Sequence, residues 1–422
     1  MARAPRAAIV VTGDEVLRGR VADRNGGYLA SWCDTNGIGV ARLTVVGDEA
    51  TEIAEAVQAQ LAAGIDLVIT TGGLGVTHDD LTMAAVARAT GLPLALDTAA
   101  LALVRQATAS ATYLATVPGR IRDSTERKQA TLPRGAEMLA PIGTAPGCIV
   151  RVGDQRVVVL PGPPFETVRM WSAAVQHPAL TQLITRAGGP PRLVLRLHGV
   201  VESQLVAALD RIPARVRSDA RLGICAKAGE VELTLADVAD GGAQELASAI
   251  DAAFPGAAFT HTGELIEAVV ADLLLRRGER LVVAESCTGG LLGGRLTALA
   301  GASRWFLGGV ISYDNAVKQT LLRVPEAVLV GDGAVSDPSA RAMADGARSL
   351  LGADWGLSVT GIAGPDGGTA DKPVGTVFLG CAGPNGASVE EHRFRGDRGL
   401  IRERSCVYAL HLLRRNLADA LT

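Results

Sequence analysis

The sequence predicts an α/β fold of more than one domain. Short apolar runs alternate with stretches of helical period in the order β-α-β-α-β-α through the N-terminal half. Glycine is abundant at 50 residues while aromatic residues make up only 3%. Such a chain has many tight strand-to-helix turns and fills its layers with Ala, Val and Leu. At 422 residues it is too long for one ordinary domain, so two or three are expected. A hydrophobic content of 48% supplies a large core. The formal net charge of −3 and a pI near 6.1 leave no basic field over the chain, which argues against nucleic-acid binding as the main role. Cysteines 33, 148, 225, 287, 381 and 406 are scattered, with no CxxC and no zinc spacing, so a reduced, cytoplasmic compartment is expected. The N-terminal apolar run is broken at once by Gly13-Asp14-Glu15, so it reads as a first strand and not a signal peptide. No uncharged apolar stretch approaches the roughly 20 residues that a membrane span needs.

Residues 7–12 read as a buried strand, followed by the polar turn GDEVLRG. A helix is expected over 24–37, stopped by Gly37, then a strand over 40–48 and a helix over 51–63 with Ile53, Val57 and Leu61 on one face. A strand over 65–71 ends in the loop GGLGVTHDD, 72–80, and a helix follows to Ala89, closed by Gly91. This alternation implies a parallel sheet covered on both faces, with ligands beyond the carboxyl ends of its strands. Gly72, Gly73 and Gly75 let a backbone come close to a ligand. Asp79 and Asp80 stand at the next helix start, where one of them serves as an N-cap. Two carboxylates repel a phosphate, so a phosphorylated ligand there implies a hard divalent cation, with His78 a further ligand candidate. An Ala-rich helix is expected over 99–115. A strand from 157 runs into the rigid Pro-Gly-Pro-Pro turn at 161–164, and TRAGGPP at 185–191 is a linker signal. Beyond it, 192–199 and 229–238 alternate as strands, each followed by a helix, in a small α+β module with no reactive cluster.

The last domain starts near 259 with an amphipathic helix stopped by Gly278. The stretch LVVAESCTGGLLGGRL, 281–296, is a buried strand, a Ser-Cys-Thr-Gly-Gly turn and a helix with Leu291, Leu292 and Leu296 on one face. A small hydroxyl residue at such a turn is either an ordinary cap or a nucleophile beside N–H groups that stabilise an oxyanion. Ser286 needs a base, and no His lies near it in sequence. Lys318, on the helix after the strand at 305–313, is the best alternative, with Tyr313 to relay a proton or orient the base. Cys287 is a rival nucleophile without a histidine partner. A helix follows Asp337-Pro338, and a strand from 354 enters a second Gly-rich loop. There Gly361, Gly364, Gly367 and Gly368 offer N–H groups to an oxyanion or phosphate. Another strand, KPVGTVFLGCAG, precedes a terminal basic helix, where Arg398 and Arg402, one turn apart, suit a phosphate.

The motifs AESCTGGLLGGRLT, GGVISYDNAVKQ, GAVSDPSA, SVTGIAGPDGGTADKPVGTV and RGDR, in this order, resemble the C-terminal domain of the CinA family, a nicotinamide-mononucleotide deamidase domain. The N-terminal part is similar to that family's MoaB/MogA-like domain, through GDEVLRG, GGLGVTHDD, RKQATLP, GTAPG and LPGPP; Val76, His78 and Glu126 depart from the usual pattern. The middle module resembles its small KH-like linker domain. The resemblance implies domains at 1–172, 173–258 and 259–422. It implies hydrolysis of the carboxamide of nicotinamide mononucleotide to nicotinate mononucleotide and ammonia, with Ser286 as nucleophile, Lys318 as base, Tyr313 assisting and no cofactor. Thr288, Gly289, Thr360, Gly361, Gly364, Arg398 and Arg402 would line that substrate site. In the N-terminal domain Gly72, Gly73, Gly75, Thr77, Asp79, Asp80, Lys128 and Gly162 would hold ADP-ribose or a related nucleotide. Asp79 and Asp80 would bind a divalent cation (Mg, Mn or Co) for pyrophosphate cleavage. A homodimer is implied as well. The rival expectations are a molybdopterin-type binding domain and a non-catalytic scaffold for competence or repair proteins.

Overall fold

The computed structural model describes residues 4–110, 119–187, 193–213, 221–236 and 242–419. The chain divides into two compact units, Met1–Pro190 and Pro191–Thr422.

In the first unit β1 (Arg6–Thr12), β2 (Gly39–Val46), β3 (Leu67–Thr71), β4 (Leu94–Leu96), β5 (Thr131–Pro133), β6 (Glu137–Leu139), β7 (Gly147–Val152) and β8 (Gln155–Leu160) succeed one another. The main sheet has the order β2-β1-β3-β8-β7-β6, while β4 and β5 pair apart from it. β2, β1, β3 and β8 run parallel, but β7 pairs antiparallel with both β8 and β6, so the sheet is mixed and not wholly parallel. The reason is local: a tight turn at Gly153 joins β7 to β8, and a turn that short permits only an antiparallel hairpin. Strand side chains alternate between faces, so Ala7, Ile9 and Val11 enter one core while Ala8 and Val10 enter another.

The helices Asn25–Thr35, Ala50–Ala62 and Thr82–Thr90 stand where the periodicity places them. GDEVLRG forms a one-turn helix, Asp14–Leu17, in place of the expected open turn. The Ala-rich helix runs from Thr98 to Ser110, and the rest of its expected span, to 115, lies outside the described residues. The expected boundary at 172 falls inside the helix Pro164–Ala174. The next helix, Pro178–Ala187, buries Leu180, Leu183 and Ala187 in the first core, which carries the unit on to Pro190. That helix also takes the start of the expected linker, of which 188–191 lie outside the described residues.

The second unit holds both remaining modules. The smaller one has the antiparallel sheet β10-β11-β9-β12, built from β9 (Leu193–His198), β10 (Arg221–Lys227), β11 (Glu230–Ala236) and β12 (Ala258–Thr260). The larger one has the sheet β14-β13-β15-β16-β17, built from β13 (Leu281–Glu285), β14 (Phe306–Ile311), β15 (Trp355–Gly361), β16 (Thr376–Gly383) and β17 (Gly386–Arg393). β14, β13 and β15 are parallel, so the loops after Glu285, Ile311 and Gly361 emerge at one edge. β10 and β17 were not expected from the sequence. The charged run in β17 (VEEH) carries little apolar pattern, because β17 is an edge strand paired only to β16. Among the described residues, no helix is long and apolar enough to cross a membrane.

Candidate active site and two cavities

The edge of the second unit's larger sheet brings Ser286 and Lys318 together. Ser286 follows β13 directly, and its N–H donates to the Val359 carbonyl of β15 at 2.9 Å, which fixes the residue at the strand end. The next strand over, β14, hands the chain to Ser312, whose N–H donates to the Glu285 carbonyl at 2.7 Å. Asp314 then caps the helix Asn315–Leu322 by accepting from the Ala316 N–H. One turn into that helix, the Lys318 Nζ reaches back to donate to Ser286 Oγ at 3.3 Å, the Ser312 carbonyl at 2.8 Å and the Tyr313 carbonyl at 3.2 Å. Lys318 is 1% exposed and Ser286 9%. Burial lowers the Lys318 pKa, and the nearby Asp314 carboxylate offsets part of that. A lysine so placed is a proton acceptor for the adjacent hydroxyl once neutral.

Other expected residues take different parts. Tyr313 is exposed, and its phenol accepts from Arg398 at 3.3 Å; it is the backbone carbonyl of Tyr313, not its ring, that holds Lys318. Arg398 also donates to the Gly364 carbonyl at 2.7 Å, joining Tyr313 to the second Gly-rich loop. Arg402 donates from Nε to the Cys287 carbonyl at 3.1 Å and from Nη2 to that of Thr288, so it fastens the Ser286 turn from behind. The Thr360 hydroxyl donates to the Ala334 carbonyl at 2.7 Å and is buried. Thr288 is fully buried, and its hydroxyl has no partner among the described residues. Gly289 sits at φ +56°, and Gly361 is packed so closely that a Cβ would lie 2.7 Å from a Val377 methyl. The Cys287 thiol is buried and pushed up to about 12 by desolvation, so it carries no thiolate at neutral pH.

At this edge, Glu285 is a residue to which sequence reasoning gave no role. Its carboxylate, 2% exposed, accepts from the N–H groups of Gly290, Leu292 and Gly293 at 2.9, 3.1 and 2.8 Å. It thereby occupies the start of the helix Leu291–Thr297, and those N–H groups are not left for a substrate phosphate. A glutamate just ahead of the Ser-Cys-Thr-Gly-Gly turn was the available signal.

In the first unit the loop 72–80 lies between two cavities. One, of about 260 Å³, is lined by Thr12, Glu15, Asn25, Asp48, Thr71, Gly72, Gly73, Thr77, Asp79, Asp80 and Gly162. Asn25 ties it together, donating to Thr71 Oγ at 3.0 Å and to the Gly162 carbonyl at 2.7 Å. Asn25 and Asp48 are wall residues that the sequence reading did not single out. Burial raises the Asp48 pKa, with Glu15, Asp14 and Asp79 adding to it. Gly72, at φ +108°, lies so close to β1 that a Cβ would stand 2.5 Å from the Thr12 carbonyl oxygen, and Gly75 would bring one to 2.5 Å from the Asp80 carboxylate. Neither Asp79 nor Asp80 caps the following helix, whose N-cap is Leu81. Both bend back on Thr77: its hydroxyl donates to each, and its N–H to Asp80 at 2.8 Å. The Thr77 hydroxyl holds the Asp79 pKa below its usual value. Lys128 donates to the Thr77 carbonyl from the other side. The second cavity, of about 280 Å³, is lined by Gly73, Leu74, Gly75, Asp80, Leu81, Met83, Ala84, Leu94, Lys128, Gln129, Thr131 and Pro146. Among the described residues, no group of three or more His, Cys, Asp or Glu side chains is arranged to hold a metal ion, so the Asp79 and Asp80 pair is not part of a ready-made cation cage; His78 joins no such group either.

Comparison with known proteins finds similarity along the whole chain. Residues 263–417 match the family model described as CinA C-terminal domain, and residues 8–182 match one described as a probable molybdopterin binding domain. A CinA-like protein of Mycolicibacterium paratuberculosis is 41% identical over 432 residues, spanning 98% of this chain and 99% of its own. One from a Mycobacterium species is 42% identical over 426 residues, with 98% and 99% covered. The crystal structure of a competence damage-inducible protein A from Klebsiella pneumoniae is 35% identical and covers 36% of this chain and 95% of its own, with a TM-score of 0.36.

Proposed function

The chain belongs to the CinA family, and on that premise we propose that its C-terminal domain hydrolyses the carboxamide of nicotinamide mononucleotide. The observation that carries this reading is the buried Lys318 Nζ 3.3 Å from Ser286 Oγ. Ser286 Oγ adds to the carboxamide carbon while Lys318 takes its proton; the C–N bond then breaks as Lys318 returns the proton to the leaving nitrogen. Ammonia departs, and an ester of Ser286 remains. Water adds to that ester with Lys318 again as base, releasing nicotinate mononucleotide and restoring the hydroxyl. With the Ser286 N–H held by Val359, the oxyanion is assigned to the next N–H groups of the turn, those of Cys287 and Thr288. Arg398, beside Tyr313, is assigned to the substrate phosphate. The test is to incubate the full chain with nicotinamide mononucleotide and resolve the pyridine nucleotides. Nicotinate mononucleotide appearing one-for-one with ammonia supports the assignment; substrate unchanged over stoichiometric enzyme rejects it.

For the first unit we propose binding of ADP-ribose or a related nucleotide. The acidic cavity suits sugar hydroxyls, which donate to the carboxylates of Asp48 and Asp79. Pyrophosphate cleavage would need a divalent cation, and the turned-in Asp79 and Asp80 do not converge on one, so no step is derived through a metal. The match of residues 8–182 to a probable molybdopterin binding domain favours a second reading, a pterin ligand. Competition of molybdopterin against ADP-ribose on the full chain separates the two.

A further inference from the structure

Arg398 and Arg402 stand one turn apart at the start of the helix Arg398–Asp419, yet they meet different things. Arg398 reaches the Tyr313 phenol and the Gly364 carbonyl. Arg402 reaches the turn that carries Ser286, donating from Nε to the Cys287 carbonyl at 3.1 Å and from Nη2 to the Thr288 carbonyl. These two N–H groups leave one edge of a planar fork, so they hold two successive carbonyls on one side of the turn. The Thr288 carbonyl accepts from the Leu291 N–H as well, at 3.2 Å. Most N–H groups of the turn are also taken. That of Ser286 donates to the Val359 carbonyl at 2.9 Å, that of Gly289 to the Ser286 carbonyl at 3.1 Å and that of Gly290 to the Glu285 carboxylate at 2.9 Å. Among the described residues, the Thr288 N–H has no hydrogen-bond partner.

We infer that Arg402 is a positioning residue: by holding the Cys287 carbonyl behind the turn, it aims the Thr288 N–H at the oxygen of the carboxamide that Ser286 attacks. This rests on the reading of the C-terminal domain as an amidase. Covalent geometry makes the link. The Cys287 carbonyl and the Thr288 N–H belong to one planar trans peptide, so they point in opposite directions, and fixing one fixes the other. The next peptide follows the same rule: its carbonyl, that of Thr288, goes to Arg402, and its N–H, that of Gly289, turns the other way onto Ser286. A carbonyl bonded to a cation also makes its own peptide N–H a stronger donor, since hydrogen bonds in a chain polarise one another. Both halves of the reaction, attack by Ser286 and attack by water, build negative charge on the same oxygen. Arg402 acts on that charge through the turn and leaves the substrate phosphate to Arg398.

Steady-state kinetics of ammonia release from nicotinamide mononucleotide test this on the full chain and its Arg402→Met and Arg402→Lys variants, with folding checked by near-UV circular dichroism. Methionine keeps the apolar stem and removes the fork. Lysine keeps the charge but cannot present two donors along one edge. In Arg402→Met, kcat is expected to fall about 10²-fold, the scale of losing one oxyanion donor, with KM within twofold of native. Arg402→Lys is expected to recover less than tenfold of that loss, again with KM within twofold. Should Arg402→Met fail to fold, Arg402→Lys carries the test alone, and kcat at least tenfold low at unchanged KM supports the role. A tenfold rise in KM with kcat kept, in either variant, makes Arg402 a phosphate ligand and overturns the inference. Native kcat in Arg402→Lys overturns it too, because a point charge then suffices. Substrate left unchanged by the native chain removes the amidase reading, and this role with it.

Discussion

Lys318 sets the pH dependence expected of the C-terminal site. Its ammonium is buried among the Ser286 hydroxyl and two carbonyls, and desolvation lowers its pKa from 10.5. Only the neutral amine accepts the Ser286 proton. kcat/KM therefore rises with pH, tenfold per unit below the lysine pKa, and levels off at a midpoint below 10.5. Lys318→Arg keeps the charge and cannot act as a base, so kcat/KM is expected to drop by about 10³-fold across the whole profile. A flat profile for the native chain, or an active Lys318→Arg, contradicts this role. Ser286 and Lys318 were legible in the sequence as residue types at a strand end and a helix start. Their partners were less so. Arg402 reads as a phosphate ligand from its spacing, yet in the fold it faces two carbonyls of the Ser286 turn. Spacing along a helix shows which residues share a face, and not what that face meets.

At the scale of the element, the strand-turn-helix of 281–297 rests on Glu285. The helix after the turn is only seven residues long, and the N–H groups of its N-cap Gly290 and of Leu292 and Gly293 in its first turn end on one carboxylate. Glu285→Ala leaves those half-buried or buried donors without their acceptor, and a loss on the order of 3 kcal/mol is expected. Glu285→Gln, which keeps an acceptor oxygen, is expected to lose about half as much. Denaturant unfolding of the two variants checks the order, and equal stability of Glu285→Ala and the native chain contradicts it. The alternation of apolar runs made most strands and helices legible. The misses have physical causes. β10 and β17 are edge strands whose outer side needs no apolar pattern, and the antiparallel β7 depends on a short turn at Gly153 that periodicity does not register.

At the scale of the whole molecule, the second unit is joined by histidines. Fully buried His411, on the helix Arg398–Asp419, bonds Glu230 of β11 at 2.8 Å, and its ring lies 3.8 Å from that of His198. Burial drives both imidazoles down to about 2, with Arg414 and Arg415 adding to it. The folded pKa lies below the unfolded value of 6.5, so the unfolded chain binds more protons between these limits. Stability is thus full above pH 6.5 and falls on acidification, by up to about 1.4 kcal/mol per pH unit for each histidine. Glu230, whose pKa burial raises, opposes this through its own titration. The expected outcome is a lower Tm for this unit at pH 5 than at pH 7, with a shallower change in His198→Phe; no difference in slope contradicts it. This docking also explains why the two modules expected at 173–258 and 259–422 share one compact unit. The composition shift near 185–191 marks a change of unit, whereas a joint made by buried side chains far apart in sequence leaves no compositional trace.

The reaction proposed for the C-terminal domain is amide hydrolysis by Ser286, served by Lys318. Ammonia release from nicotinamide mononucleotide, followed in the presence of EDTA for the native chain and for Ser286→Ala, tests it most directly. Release from the native chain that EDTA does not slow is expected, with a loss of about 10³-fold or more in Ser286→Ala. Full release from Ser286→Ala, or none from the native chain, contradicts it.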